Sequence, residues 1–163
     1  MIRALILACG NSLRGDDAAA LHVARELRSG LCEPETKIHS STQWTPELAE
    51  SISQAKLVIF VDASAVVPPG VVQTRAVLPI PDAPGSFSHR TSPAGLLALA
   101  KRLYGMIPSR AFLITIGAKS FELSEELSEP VRHAIPEVLE RVEAILSNIS
   151  LPSDEPRDPG SLS

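Results

Sequence analysis

The chain has 163 residues, of which 44% are hydrophobic and 21% charged, a length and composition that suit a single globular domain with a sizeable core. Its net charge is −4, and its lysines and arginines are scattered, which argues against a nucleic-acid or anionic-membrane partner and mildly favours a basic one. No stretch approaches the roughly 18 consecutive apolar residues that a membrane-spanning helix requires.

Five apolar runs bounded by turn residues predict β-strands. They are residues 2–8 (IRALILA), 36–41 (TKIHSS), 56–63 (KLVIFVDA), 71–78 (VVQTRAVL) and 110–117 (RAFLITIG). Two of them contain stretches that are apolar throughout, ALILA and LVIFV, as is typical of parallel strands covered on both faces. The segment SAVVPPG before residues 71–78 is too short for a helical crossover, so that strand is predicted to run antiparallel.

Four segments with helical periodicity alternate with these strands. They are DAAALHVARELR, TPELAESISQ, SPAGLLALAKRLYG and PEVLERVEAILSNI. Thr45 and Ser92 each precede a proline and are predicted N-caps, and Gly105 is a predicted left-handed C-cap. Pro136 predicts a kink or a new helix start between residues 128 and 148. The alternation predicts an α/β fold with helices on both faces of a parallel or mixed sheet.

Acidic residues follow two of the predicted parallel strands, at the edge where such sheets bind ligands. Asp16 and Asp17 come after the first strand, and Asp62 ends the third. Carboxylates repel phosphate, and a dinucleotide fingerprint would need a third glycine beside Gly10 and Gly15, so a cation or an acid/base role is favoured. Asp16 fits a helix N-cap, which is its simpler interpretation. Asp62 needs a partner to offset its burial.

One histidine, His89, lies in a loop rich in proline, glycine and serine just before a predicted helix. Loops at this edge of a sheet often carry binding residues. The other three, His22, His39 and His133, are interpreted as surface or packing residues. One imidazole with two carboxylates suits a divalent metal such as nickel or zinc.

Four motifs occur in order along the chain: GNSLRGDD after the first strand, TPELAE at 45–50, VIFVDAS at 58–64 and SHRTSPAGLLALAKRLYG at 88–105. With these motifs the sequence resembles the nickel-iron hydrogenase maturation endopeptidases. The resemblance implies a three-layer αβα sandwich around a mostly parallel, mixed five-stranded sheet, formed by one domain over residues 1–150. Residues 151–163, rich in proline, serine and aspartate, are predicted to be a disordered tail.

The resemblance also implies a cytoplasmic, monomeric enzyme that removes a C-terminal extension from the hydrogenase large-subunit precursor after nickel insertion. The nickel, already held by the precursor, is its recognition signal, and the implied metal-contacting residues are Asp17, Asp62 and His89. The predicted catalytic set is Asp17, Asp62 and Asp16, with Asp16 or Asp17 as the simplest general base for a water.

Two alternatives stay open: a non-catalytic, nickel-sensing module that holds the large subunit, and a small-molecule or nucleotide enzyme on the same sheet.

Cys9 and Cys32 form no C-x-x-C pair, which is consistent with a reducing cytoplasm. Trp44 is interpreted either as an aromatic wall for a partner or as a half-buried packing residue.

Overall fold

The computed structural model of the chain describes residues 2–30, 34–83 and 91–148. Five strands form one sheet in the order β2-β1-β3-β5-β4. They are β1 (Ile2–Cys9), β2 (Thr36–Ser41), β3 (Ala55–Ser64), β4 (Val72–Ala76) and β5 (Arg110–Gly117). Four strands pair in parallel, and β4 pairs antiparallel with β5. The predicted fold class and the antiparallel fourth strand are both confirmed.

The helices are α1 (Ala19–Gly30), α2 (Leu48–Ser53), α3 (Pro93–Tyr104) and α4 (Glu129–Asn148), and a short 3-10 helix (Gly15–Ala18) precedes α1. Ser92 caps α3 as predicted, since its Oγ accepts a hydrogen bond from the Gly95 amide at 2.9 Å. Gly105 ends the same helix with φ at +70°, a conformation that favours glycine. Both predicted caps of α3 are confirmed.

The predicted N-cap at Thr45 is wrong, and so is one of the two alternatives predicted at Pro136. The helix α2 begins at Leu48 without a side-chain cap, because the Thr45 side chain hydrogen-bonds to the carboxylate of Glu47 instead. Pro136 starts no new helix and lies inside the continuous α4, so that of the two alternatives only the kink stays a prediction. The neighbouring Ile135 and Val138 are buried, and this packing offsets the backbone hydrogen bond that proline cannot donate.

The sheet separates two apolar clusters, which gives the molecule its three layers. On one face α1 and α4 cover side chains such as Ile6 and Ile59. On the other face α2 and α3 cover Leu7 and Phe60. None of the helices in the described ranges has the length and hydropathy to cross a membrane. The predicted tail, residues 151–163, lies outside the described residues.

The pairing of β1 with β3 determines where the acidic residues lie. The two strands run in parallel, with Ala8 opposite Val61. Asp62 therefore lies at the carboxyl edge of the sheet beside Cys9, where β1 leads into the loop that carries Asp17. This is the edge at which open α/β sheets bind ligands.

Candidate metal-binding and hydrolytic site

An open cavity of about 420 Å³ lies at the carboxyl edge of the parallel strands. Asp17 and Asp62 both line it, so the structure brings together two of the three predicted metal-contacting residues. The third, His89, lies outside the described residues. The full lining consists of Cys9, Asn11, Arg14, Asp17, Thr42, Gln43, Trp44, Asp62, Ala63, Thr91 and Phe121.

The two cavity carboxylates are held in the same way, each by one backbone amide. The Asn11 amide donates to Oδ2 of Asp17 at 3.0 Å, and the Ala63 amide donates to Oδ1 of Asp62 at 2.8 Å. The other oxygen of each group, Oδ1 of Asp17 and Oδ2 of Asp62, accepts no hydrogen bond from the described part of the chain. Each aspartate therefore offers one oriented oxygen, the kind of hard donor that a divalent cation prefers.

The electrostatics of Asp62 also favour a cation. Burial raises the pKa of Asp62 to about 6, the Ala63 amide opposes this rise, and the negative charge of Asp17 adds to it. Two carboxylates in one partly dehydrated site repel each other, and a cation between them removes that repulsion. Among the described residues no group of three His, Cys, Asp or Glu side chains forms a complete metal site.

Asp16 does not take part in this cavity. Its side chain is 1% exposed, and its carboxylate accepts hydrogen bonds from the amides of Lys119, Ser120 and Ser128 and from Oγ of Ser128. The prediction that Asp16 caps the helix that follows it is therefore wrong, because the donors to its carboxylate come from segments distant in the sequence. With both oxygens occupied and hidden from solvent, Asp16 is not placed to act as a general base.

Trp44 is a packing residue that also lines the cavity, and its role as a wall for a partner stays a prediction. It is buried and meets Phe60 edge to face, with ring centroids 5.4 Å apart, and it also forms part of the cavity wall. Its carbonyl accepts hydrogen bonds from the amide and the hydroxyl of Thr91. This contact ties the cavity wall to the start of α3.

The other three histidines lie on the elements that the sequence predicted for them. His22 is on α1, His39 on β2 and His133 on α4. None of the three lines the cavity. Partial burial, together with the charge of Arg25, lowers the pKa of His22.

Several residues that line the cavity were not predicted from the sequence to be site residues. Arg14 lies inside the GNSLRGDD motif, and its Nε donates to the Phe121 carbonyl at 3.4 Å. Phe121 belongs to the loop after β5. Because β5 runs parallel to β1 and β3, the loop after β5 reaches the same edge of the sheet. The predicted direction of β5 could therefore have placed this loop beside the cavity.

Solved structures with this fold include several named hydrogenase maturation enzymes. The hydrogenase maturating endopeptidase HybD from Escherichia coli has a TM-score of 0.74 and 25% identity, over 91% of this chain and 94% of that one. The hydrogenase 2 maturation peptidase from Thaumarchaeota archaeon SCGC_AB-539-E09 has a TM-score of 0.68 and 26% identity, over 89% of this chain and 98% of that one.

A [NiFe] hydrogenase maturation protease HybD from Thermococcus kodakarensis shares the fold at 24% identity and a TM-score of 0.65, over 89% of this chain and 99% of that one. No protein-family model and no curated protein sequence matches the chain. The structural matches confirm the resemblance drawn from the four sequence motifs: the chain has the fold of the hydrogenase maturation endopeptidases.

Proposed function

We propose that the protein is an endopeptidase that removes the C-terminal extension of a nickel-iron hydrogenase large-subunit precursor after nickel insertion. The proposal is supported by the open cavity in which Asp17 and Asp62 each present one carboxylate oxygen that accepts no hydrogen bond from residues 2–30, 34–83 or 91–148. It is also supported by the structural neighbours, which include a hydrogenase maturating endopeptidase and a hydrogenase maturation peptidase.

In this proposal the precursor's nickel is part of the substrate. Asp17 and Asp62 contribute one oxygen each, and His89, which precedes α3 in the sequence, contributes an imidazole nitrogen. Carboxylate oxygens and imidazole nitrogen suit divalent nickel, and three protein ligands leave positions for the precursor's own groups. The metal thereby docks the scissile segment in the cavity.

Cleavage requires a water molecule that adds to the scissile carbonyl carbon while the C–N bond breaks and a proton reaches the leaving amine. We assign the proton transfer to the cavity carboxylates, Asp17 and Asp62, because the carboxylate of Asp16 is buried and fully hydrogen-bonded.

The proposal is tested by incubating the protein with purified large-subunit precursor, with and without nickel, and measuring the precursor's mass. We expect loss of a C-terminal peptide from the nickel-loaded form alone. Asp62→Asn and His89→Ala should abolish that loss while the melting temperature shows a folded protein. The matched control is Glu140→Gln, a change at an exposed position on α4, which should leave processing intact.

Two other results would favour the alternative functions. A stable complex with an intact, nickel-loaded precursor would identify a binding module that does not cut its partner. Equal processing by wild type and Asp62→Asn would show that the nickel-recognition assignment is wrong.

A further inference from the structure

We propose that Leu13 and Leu123 form a docking rim beside the cavity for the substrate protein, and that this rim recognises an apolar side chain flanked by basic residues. The proposal rests on the proposed function and extends it from the scissile segment to the surface that holds the precursor. The two leucines are 55% and 87% exposed. Large apolar side chains this exposed and this close together mark an interaction surface more often than an isolated exposed leucine does.

The backbone places the two leucines side by side. The loops after β1 and after β5 form a parallel bridge between Arg14 and Ser124. The Ser124 amide donates to the Leu13 carbonyl at 3.0 Å, and the Gly15 amide donates to the Ser124 carbonyl at 2.8 Å. In this register Leu13 is the neighbour of Leu123, because each immediately precedes a bridged residue.

The rim is continuous with the cavity wall. Arg14, the residue after Leu13, lines the cavity, and so does Phe121, two residues before Leu123. The Nε of Arg14 donates to the Phe121 carbonyl at 3.4 Å and joins the two loops a second time. The two leucines therefore lie on the same two loops that form this side of the cavity wall.

The loop that carries Leu123 is anchored at both ends by hydrogen bonds to Asp16. Asp16 holds the loop after β5 through the amides of Lys119 and Ser120 and fixes its far end through Ser128. An ordered surface costs less conformational entropy on binding than a loop that must first be organised. The leucines are thus displayed on a preformed support.

Charge determines which partner fits. Glu122, Glu125 and Glu126 border Leu123 and are all exposed. The one ion pair found in the described ranges joins Arg141 to Glu137, so these three glutamates are not paired with described cations. The rim is therefore acidic on the side of Leu123, where three glutamates stand against the single cation Arg14 beside Leu13. This acidic side is complementary to an apolar side chain with lysine or arginine next to it, and it also speeds association with such a surface.

The experiment measures steady-state processing of the nickel-loaded precursor by wild type, Leu13→Ser, Leu123→Ser and the double variant. We expect the double variant to raise KM by about tenfold, which corresponds to the loss of about 1.4 kcal/mol of apolar contact, with kcat changed less than twofold. The matched control is Leu103→Ser, because Leu103 is 59% exposed near the end of α3 remote from the cavity.

A second arm tests the charge. The double reversal of Glu122 and Glu126 to lysine should raise KM at low salt, and the difference from wild type should shrink as salt is added. The control is Glu140→Lys on α4. Equal KM values for the leucine double variant and for Leu103→Ser would overturn the docking rim while leaving the proposed function standing. Failure of the wild type to process the precursor would instead refute the proposed function.

Discussion

Asp16 accepts two hydrogen bonds from Ser128, one from its amide to Oδ1 and one from its hydroxyl to Oδ2, both at 2.7 Å. The pair connects the loop after β1 to the residue that precedes α4. Asp17, the residue that follows Asp16 in the chain, lines the cavity instead. Two adjacent aspartates therefore have different surroundings, since one fixes the loop and the other faces the cavity.

The first prediction concerns the stability that Asp16 provides. Asp16→Ala should lower the free energy of unfolding by about 3 kcal/mol, because the amides of Lys119, Ser120 and Ser128 lose a charged acceptor in a buried site. Urea denaturation measures the change as a lower midpoint. Asp17→Ala, which removes a single backbone hydrogen bond, is the control and should cost less. Equal midpoints for the two variants would contradict this account of Asp16.

The second prediction is the pH dependence of the same contact. Burial alone would raise the pKa of Asp16, but the hydrogen bonds from Ser128, Lys119 and Ser120 outweigh burial and hold the pKa below its ordinary value of 3.8. A lowered folded-state pKa gives stability that is present above the unfolded-state value and disappears as pH falls through the folded-state value. Wild type should therefore lose stability below about pH 4 more steeply than Asp16→Asn, as urea midpoints across pH 2–6 would show.

Much of the fold could be predicted because local signals determine it. The strands β2 and β5 have the predicted bounds, since turn residues flank each apolar run, and α3 begins and ends at the residues whose side chain or backbone caps it. The start of α2 could not be predicted in this way. A threonine before a proline suits an N-cap, but its side chain can bond a neighbouring carboxylate equally well, and Thr45 does so.

The candidate site was predictable only in part, because its supporting contacts are distant in sequence. Asp17 and Asp62 follow from the rule that parallel strands bring their carboxyl ends together. The partners of Asp16 lie more than 100 positions away, at Lys119, Ser120 and Ser128. Nothing in the local pattern distinguishes an aspartate that caps its own helix from one that fixes a remote loop.

The third prediction is that the charged carboxylate of Asp62 destabilises the folded protein at neutral pH. Its pKa of about 6 in the folded protein, against an ordinary value of 3.8, means that the charged carboxylate destabilises the fold above pH 6 and that the penalty vanishes below about pH 4. Asp62→Asn should therefore raise the free energy of unfolding at pH 7 by up to about 3 kcal/mol.

Thermal melts of wild type and Asp62→Asn at pH 7.5 and at pH 4 measure this effect. The variant should melt at a higher temperature at pH 7.5, and the two proteins should converge at pH 4. Asp17→Asn is the matched control, because it removes the neighbouring charge but leaves the burial of Asp62 unchanged, so its gain should be smaller. A variant that melts below wild type at pH 7.5 would show that Asp62 is already compensated in the folded chain.

The last prediction uses a glycine to disturb the site without changing a ligand. A Cβ added at Gly10 would overlap the backbone carbonyl of Asp17 and touch the side chain of Leu21, so Asp17 itself would have to move. Because a misplacement of about 1 Å can cost about 100-fold in rate, Gly10→Ala should lower kcat for the nickel-loaded precursor by about that factor. Gly30→Ala is the control, since a Cβ there meets nothing within 4 Å. Its kcat should match wild type, and a Gly10→Ala enzyme of full activity would show that the position of Asp17 is not critical.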